Sequence, residues 1–275
     1  RICTGNFVRR SRQSLVGARK GSPLAVGVGE GEMFLGSDAL ALAPLTQQIC
    51  YLEEGDWVVL TRDSMQVYNV HGAAQEREVK QTALTGALVG KGNHRHFMIK
   101  EIYEQPQVIG DTLHVLLNAN TRTAAMPEFP FSLADIPQVT IVACGTSYLA
   151  GLVTKYWIEQ LARVPVDVDI GSEFRYREPP LPKGGLAIFI SQSGETADTL
   201  APLHYCKKQG QHILSVVNVA ESEMARVSDA VLLTKAGPEV GVASTKAFTT
   251  QLSVLAAFAI ALARAKGAID LEREQ

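Results

Sequence analysis

Apolar positions follow two different grammars along this chain. From Ser22 to about Gly72, short apolar runs alternate with turn residues: Pro23 to Val28, Met33 to Leu35, Ile49 to Leu52, Trp57 to Thr61 and Met65 to Val70. That pattern predicts a meander of strands, and the connectors Glu53-Glu54-Gly55-Asp56 and Arg62-Asp63-Ser64 are short enough to pair neighbours antiparallel. Between Gln81 and Pro137 the alternation dissolves into a polar connector with a charged segment, Lys100 to Pro106, and a proline-punctuated run from Met126 to Pro137. From Gln138 a strand-helix rhythm takes over. Strands are predicted at Val139 to Ala143, Val166 to Ile170, Leu186 to Ile190, His212 to Val217 and Ala230 to Leu233. Helices are predicted at Ser147 to Leu161, Thr196 to Lys208 and about Thr245 to Lys266. Strands of unbroken apolar residues are buried on both faces, which predicts a parallel sheet between helical layers. The chain thus reads as α/β with a β-rich first part: residues 1–100, a linker over 101–137, and a second domain over 138–275.

Composition narrows the classes. The chain has 275 residues, 46% hydrophobic and 20% charged, enough for two moderate cores. A net charge of −2 gives no attraction for nucleic acid, and no aromatic-rich basic module of the usual nucleic-acid-binding kinds is present. The longest apolar stretch, Leu252 to Ala263, is alanine-rich, interrupted by Ser253 and shorter than the roughly 20 residues a bilayer span needs. It reads as a buried helix, with no membrane partner. Cys3, Cys50, Cys144 and Cys206 lie far apart with no metal-ligand spacing, which fits reduced thiols in a cytoplasmic protein. Arg1 to Gln13 is basic, acid-free and aperiodic; it reads as a cut end, with a transit peptide as the rival.

The chemistry concentrates where apolar strands give way to helices. In Phe189-Ile190-Ser191-Gln192-Ser193-Gly194-Glu195-Thr196, a strand delivers three hydroxyls and a glycine to a helix start. Unpaired amides and the positive dipole end favour an anion there, and Ser191, Ser193 and Thr196 add donors. Two more polar loops belong to the same sheet edge, Cys144-Gly145-Thr146-Ser147 and Gly241-Val242-Ala243-Ser244-Thr245-Lys246, where ligands of such sheets gather. Singly, Ser147, Ser193 or Ser244 reads as a helix N-cap; three together point to a phosphorylated ligand. Cys144 reads as a small pocket-lining residue rather than a nucleophile, since no histidine partner is placed by sequence. Glu173 and Glu195 are candidate acid/base groups, with dipole complementation the alternative for Glu195. Lys246 fits either a ligand contact or a solvated helix start. Arg175 and Arg177 read as carboxylate partners, His94-Arg95-His96 as a solvated or partner-contacting face, and Gly27, Gly29 and Gly31 as backbone crowding in a sheet.

The strings Ala143 to Ser147, Ser172 to Arg177, Ser191 to Leu200 and Gly241 to Thr250 resemble the first sugar isomerase (SIS) domain of the isomerising glutamine:fructose-6-phosphate aminotransferase family. Upstream, Gly21 to Leu24, Gly36-Ser37-Asp38, Tyr51 to Asp56 and Lys100 to Pro106 are similar to the end of that family's glutaminase domain and its linker. The resemblance implies an SIS-type three-layer sandwich preceded by a partial, antiparallel remnant of an Ntn-type glutaminase domain. It implies glucosamine 6-phosphate synthesis from fructose 6-phosphate and glutamine, with no metal or organic cofactor, in a homodimer. Ser147, Ser191, Gln192, Ser193 and Thr196 would hold the phosphate; Thr146, Val242 and Ser244 would contact the sugar. The family's N-terminal cysteine and its isomerising lysine, glutamate and histidine match no position here, so this chain is expected to carry a binding half-site with no catalytic residue and no turnover alone. A noncatalytic phosphosugar-sensing module is the alternative; a standalone sugar-phosphate isomerase fits the upstream meander poorly.

Overall fold

The computed structural model describes residues 14–21, 23–82 and 90–275; Arg1 to Gln13, read above as a cut end, lie outside the described residues. Contacts divide the chain into two compact units, residues 1–92 and 93–275.

The first unit holds β1 (Leu15–Ala18), β2 (Ala25–Val28), β3 (Met33–Gly36), α1 (Ala39–Leu42), β4 (Gln48–Tyr51), β5 (Trp57–Leu60), β6 (Met65–Tyr68), β7 (Ala74–Gln75) and β8 (Val79–Gln81). They form two antiparallel four-stranded sheets, ordered β1-β5-β6-β7 and β3-β2-β4-β8. One core joins Leu24, Val26, Cys50 and Leu52 to Val58, Leu60 and Val67. On the other face of the second sheet, Ala25 and Ile49 pack with Ala39 and Leu42 of α1.

The meander expectation holds at Arg62-Asp63-Ser64, which joins the paired β5 and β6. It fails at Glu53-Glu54-Gly55-Asp56, which carries the chain from one sheet to the other. Two arginines account for that crossing. The buried Arg19 donates to the Leu52 carbonyl at 2.6 Å. Arg77 pairs bidentately with the buried Asp56 at 2.8 and 3.1 Å, and Asp56 also accepts the Glu53 amide at 2.8 Å. Glu53 and Glu54 face solvent, and the paired charge of Asp56 lets the connector bury its last residue. In the glycine run, a Cβ on Gly27 would stand 2.7 Å from Thr46 Cγ2, so close packing explains that residue.

The second unit begins with a departure. The segment expected as a linker carries the 20-residue α2 (Phe97–Leu116), followed by the small hairpin of β9 (Leu117–Asn118) and β10 (Thr123–Ala124). Pro106 sits inside α2, where it removes the bond to the Ile102 carbonyl. The Gln105 side-chain amide reaches that carbonyl at 3.3 Å instead. The buried face of α2 is Glu101, Val108, Thr112 and Leu116, two of them polar, which hides the helical period.

The five predicted strands and three predicted helices are present among the remaining elements: β11 (Val139–Ala143), α3 (Gly145–Leu161), β12 (Val166–Ile170), α4 (Gly171–Arg177), β13 (Leu186–Ser191), α5 (Ala197–Lys208), β14 (His212–Val217), α6 (Glu223–Val227), β15 (Ala230–Leu233), α7 (Lys246–Ala265) and α8 (Leu271–Glu274). The short helices α4, α6 and α8 were not expected from the sequence. The five strands form one parallel sheet, ordered β12-β11-β13-β14-β15. Alternate strand residues serve two cores. Val139, Ile141, Leu186, Ile188, Leu214 and Val216 share a cluster with α3 and α7. Val142, Ala187, Phe189, Ile213 and Val217 share another with α4, α5 and α6. The sheet is therefore the middle of three layers.

Helix α7 is 20 residues long with a mean hydropathy of 1.5, long and apolar enough by itself to cross a bilayer, unlike the shorter stretch picked out in the sequence. It is mostly buried, packed along α2 and α3, as a core helix is. Cys50, Cys144 and Cys206 are free thiols, while Cys3 lies outside the described residues. Burial pushes the Cys50 thiol up to about 11, against the pull of Arg77, and the Cys206 thiol up to about 12.

Candidate functional site

Strand order reverses between β11 and β13: the chain leaves β11 toward β12 on one side and returns on the other. Helices leaving such a pair diverge and open a crevice at the strands' carboxyl ends. Ala143 lies level with Ile190, so Cys144, the first residue past β11, stands beside Ser191, the last residue of β13. A cavity of about 190 Å³ opens there, lined by Cys144, Ser147, Ile190, Ser191, Gln192, Ser193, Thr196 and Thr199.

Two helix starts flank this cavity, those of α3 and α5, and neither has a side-chain cap. Ser147, Ser193 and Ser244 are therefore not the N-caps that the sequence allowed: the cap positions are Cys144, Thr196 and Thr245. The Ser191 to Thr196 segment is a self-bonded turn. Ser191 Oγ accepts the Gly194 amide at 3.0 Å and lies 3.3 Å from Thr196 Oγ1; Ser193 Oγ accepts the Glu195 amide at 3.2 Å. A hydroxyl that accepts from an amide keeps its proton to donate elsewhere.

The turn needs Gly194 at φ +67, where a Cβ would stand 2.1 Å from Ser222 Oγ. It is braced from the segment after β14: the Asn218 amide donates to the Gln192 carbonyl at 3.2 Å and the Met224 amide to the Gly194 carbonyl at 3.1 Å.

Five of the eight residues singled out from the sequence, Ser147, Ser191, Gln192, Ser193 and Thr196, meet around the cavity; Thr146, Val242 and Ser244 do not line it. Thr146 precedes Ser147 on α3, and consecutive helical residues point about 100° apart. Val242 stands fully exposed, at 106% of its reference area. Ser244 Oγ donates to Glu239 at 2.8 Å. Thr199 was missed. It lies three residues beyond Thr196 on the same face of α5, and its hydroxyl faces Cys144 Sγ at 3.9 Å; the Thr-x-x-Thr spacing was the available signal.

The remaining candidates resolve into structural partners. Glu195 accepts the Glu223 amide at 2.8 Å at the start of α6, and Glu173 is exposed on α4. Arg175 pairs with Asp198 at 3.2 Å and Arg177 with Asp169. Lys246 is neither solvated nor aimed at the cavity: it is 3% exposed and bonds Glu104 of α2 at 2.7 Å. His94 stacks on Tyr103. Apart from the Cys144 thiol, the cavity lining carries no ionisable side chain.

Residues 132–261 match the SIS domain model. Over 261 residues, 95% of its length, the chain is 60% identical to the glutamine–fructose-6-phosphate aminotransferase (isomerizing) of Brucella abortus and 59% identical to that of Zymomonas mobilis. This chain is their homologue. It spans 43% of the length of these relatives. Among solved structures, the C-terminal domain of glucosamine-fructose-6-phosphate aminotransferase from Francisella tularensis superposes with a TM-score of 0.64 at 45% identity, over 67% of this chain and 52% of that one.

Proposed function

We propose that this chain is the phosphosugar-binding part of an isomerising glutamine–fructose-6-phosphate aminotransferase, with Ser147, Ser191, Gln192, Ser193, Thr196 and Thr199 receiving the phosphate of fructose 6-phosphate. The observation that carries this reading is the meeting of two helix starts without side-chain caps at one hydroxyl-lined cavity. Amides and dipoles there favour a dianion without a fixed cation. The cavity is smaller than the roughly 300 Å³ at the low end of ordinary ligand pockets, so it takes the phosphate end and leaves the sugar outside, toward the loops of Thr146 and of Val242 and Ser244. Glutamine, part of the relatives' name, would be the other substrate of such an enzyme.

In this reading the chain binds and orients. Hydroxyls and amides fix the phosphate, and the strand ends fix where the sugar carbons lie. A lining with no carboxylate, imidazole or amine supplies no general acid or base, so proton transfer needs groups the cavity does not hold. The 275-residue polypeptide should bind fructose 6-phosphate and leave it unconverted.

Titration calorimetry with Ser191→Ala, Ser193→Ala and Thr196→Val tests the pocket. Each should weaken fructose 6-phosphate about ten- to a hundredfold, the worth of one hydrogen bond to a charged group. Wild-type affinity in all three would overturn the assignment.

A further inference from the structure

The charged segment Lys100 to Pro106 is not accounted for by the cavity, yet two of its carboxylates bond residues some 140 positions away. Glu101 is 1% exposed, and its carboxylate accepts the Val240 amide at 2.6 Å and the Gly241 amide at 3.0 Å. One turn on, Glu104 takes the Lys246 ammonium at 2.7 Å. Farther along the same face, Thr112 Oγ1 accepts the Lys235 amide at 3.1 Å. Helix α2 therefore holds the segment between β15 and α7 at its beginning, middle and end.

Gly241 shows that this approach is tight. A Cβ there would stand 2.4 Å from Glu101 Oε2, so no larger residue fits while the carboxylate holds its place. Val242 and Ser244 lie between the two carboxylate grips. Burying a carboxylate is costly unless its oxygens are bonded, and here two backbone amides bond it. Without that acceptor the two amides lose their partner and the loop loses its anchor.

We propose that Glu101 is a positioning residue for sugar recognition: from helix α2 it sets the loop that presents Val242 and Ser244 to the carbon chain of a hexose phosphate, while the phosphate turn stands independently of it. This rests on the function proposed above, because it takes the 240–244 loop as the sugar side of the site. Glu104, through Lys246, fixes the far end of the same loop.

The test uses the 275-residue chain with Glu101→Ala and Glu101→Gln, and two probes, fructose 6-phosphate and inorganic phosphate. Glu101→Ala should weaken fructose 6-phosphate about tenfold and inorganic phosphate less than twofold, the loss expected of one charged anchor acting on a single end of the ligand. Glu101→Gln keeps the shape and one acceptor oxygen; it should lose about threefold, again for the sugar phosphate alone, and it carries the test if the alanine variant does not fold. Hydrogen exchange at the Val240 and Gly241 amides should quicken in both variants without any ligand. Equal losses for both probes, unchanged sugar-phosphate affinity, or unchanged exchange would overturn the positioning role. Wild-type chain that binds neither probe would instead overturn the proposed function, and this inference with it.

Discussion

Helices α5 and α7 begin at the same edge of the sheet after similar Ser/Thr-containing loops, yet their N-termini are put to different use. At α5 the hydroxyls of Ser191 and Ser193 fold back only onto the turn itself, and the helix start faces a cavity. At α7 a carboxylate of the chain is already there. Glu239 accepts the Ser244 hydroxyl at 2.8 Å and the amides of Thr245 and Ala247 at 2.9 and 3.1 Å. The dipole and free amides that would draw an external anion are satisfied internally. A hydroxyl-rich loop before a helix is thus open to an external anion only where no nearby carboxylate has claimed it.

The comparison breaks most visibly at Gly194. Gly194→Ala adds a Cβ to a left-handed residue already packed on Ser222, so it should cost about 2–4 kcal/mol in urea unfolding and abolish fructose 6-phosphate binding. Retained binding would mean that the turn is not the anion site. Glu239→Ala probes the other end. Three donors lose their acceptor, for a loss of about 2–3 kcal/mol of stability, while inorganic phosphate affinity should stay within twofold of wild type. If phosphate binding falls along with stability, the two helix starts are one coupled site and the contrast between them is wrong.

The strand-helix rhythm was legible because central strands such as Leu186–Ser191 are buried along their whole length, so an apolar run marks each one. The hydroxyl-rich Ser191 turn was legible because its hydroxyls are local in sequence. Helix α2 was not, since its buried face is led by Glu101 and its sequence is interrupted by the exposed Pro106, and the bonds that justify the buried Glu101 are made to residues as far as 140 positions away. Lys246 was ambiguous for the same reason: its partner Glu104 lies 142 positions upstream. In the first unit, the hairpin at Arg62 to Ser64 followed from loop length, but the crossing at Glu53 to Asp56 depends on Arg19 and Arg77, which no local pattern connects to it. Polar residues that act across the fold carry no periodic signature, and that is where the reading stopped.

Acid should separate the two helix starts more gently. Burial alone would raise the Glu104 carboxyl, but the hydrogen bonds and charges of Lys246 and Lys100 outweigh it and hold the group below its ordinary value of 4.5. A carboxylate lowered by folding adds stability that is fully present above its unfolded value and is lost as pH falls through the lower, folded one. Glu104 is 31% exposed, so its contribution is modest, under about 1 kcal/mol. Between about pH 5 and pH 3, wild-type stability should therefore fall slightly more steeply than that of Glu104→Gln, which has no such proton to take up. Hydrogen-exchange protection over residues 240–246, referenced to the intrinsic exchange rate at each pH, should fall across the same interval, before that of the amides of the Ser191 turn, whose acceptors are hydroxyls and carbonyls that do not titrate there. Parallel acid profiles for wild type and Glu104→Gln would show that the Glu104–Lys246 pair does not hold the loop, and would leave Glu101 and Glu239 to account for its order.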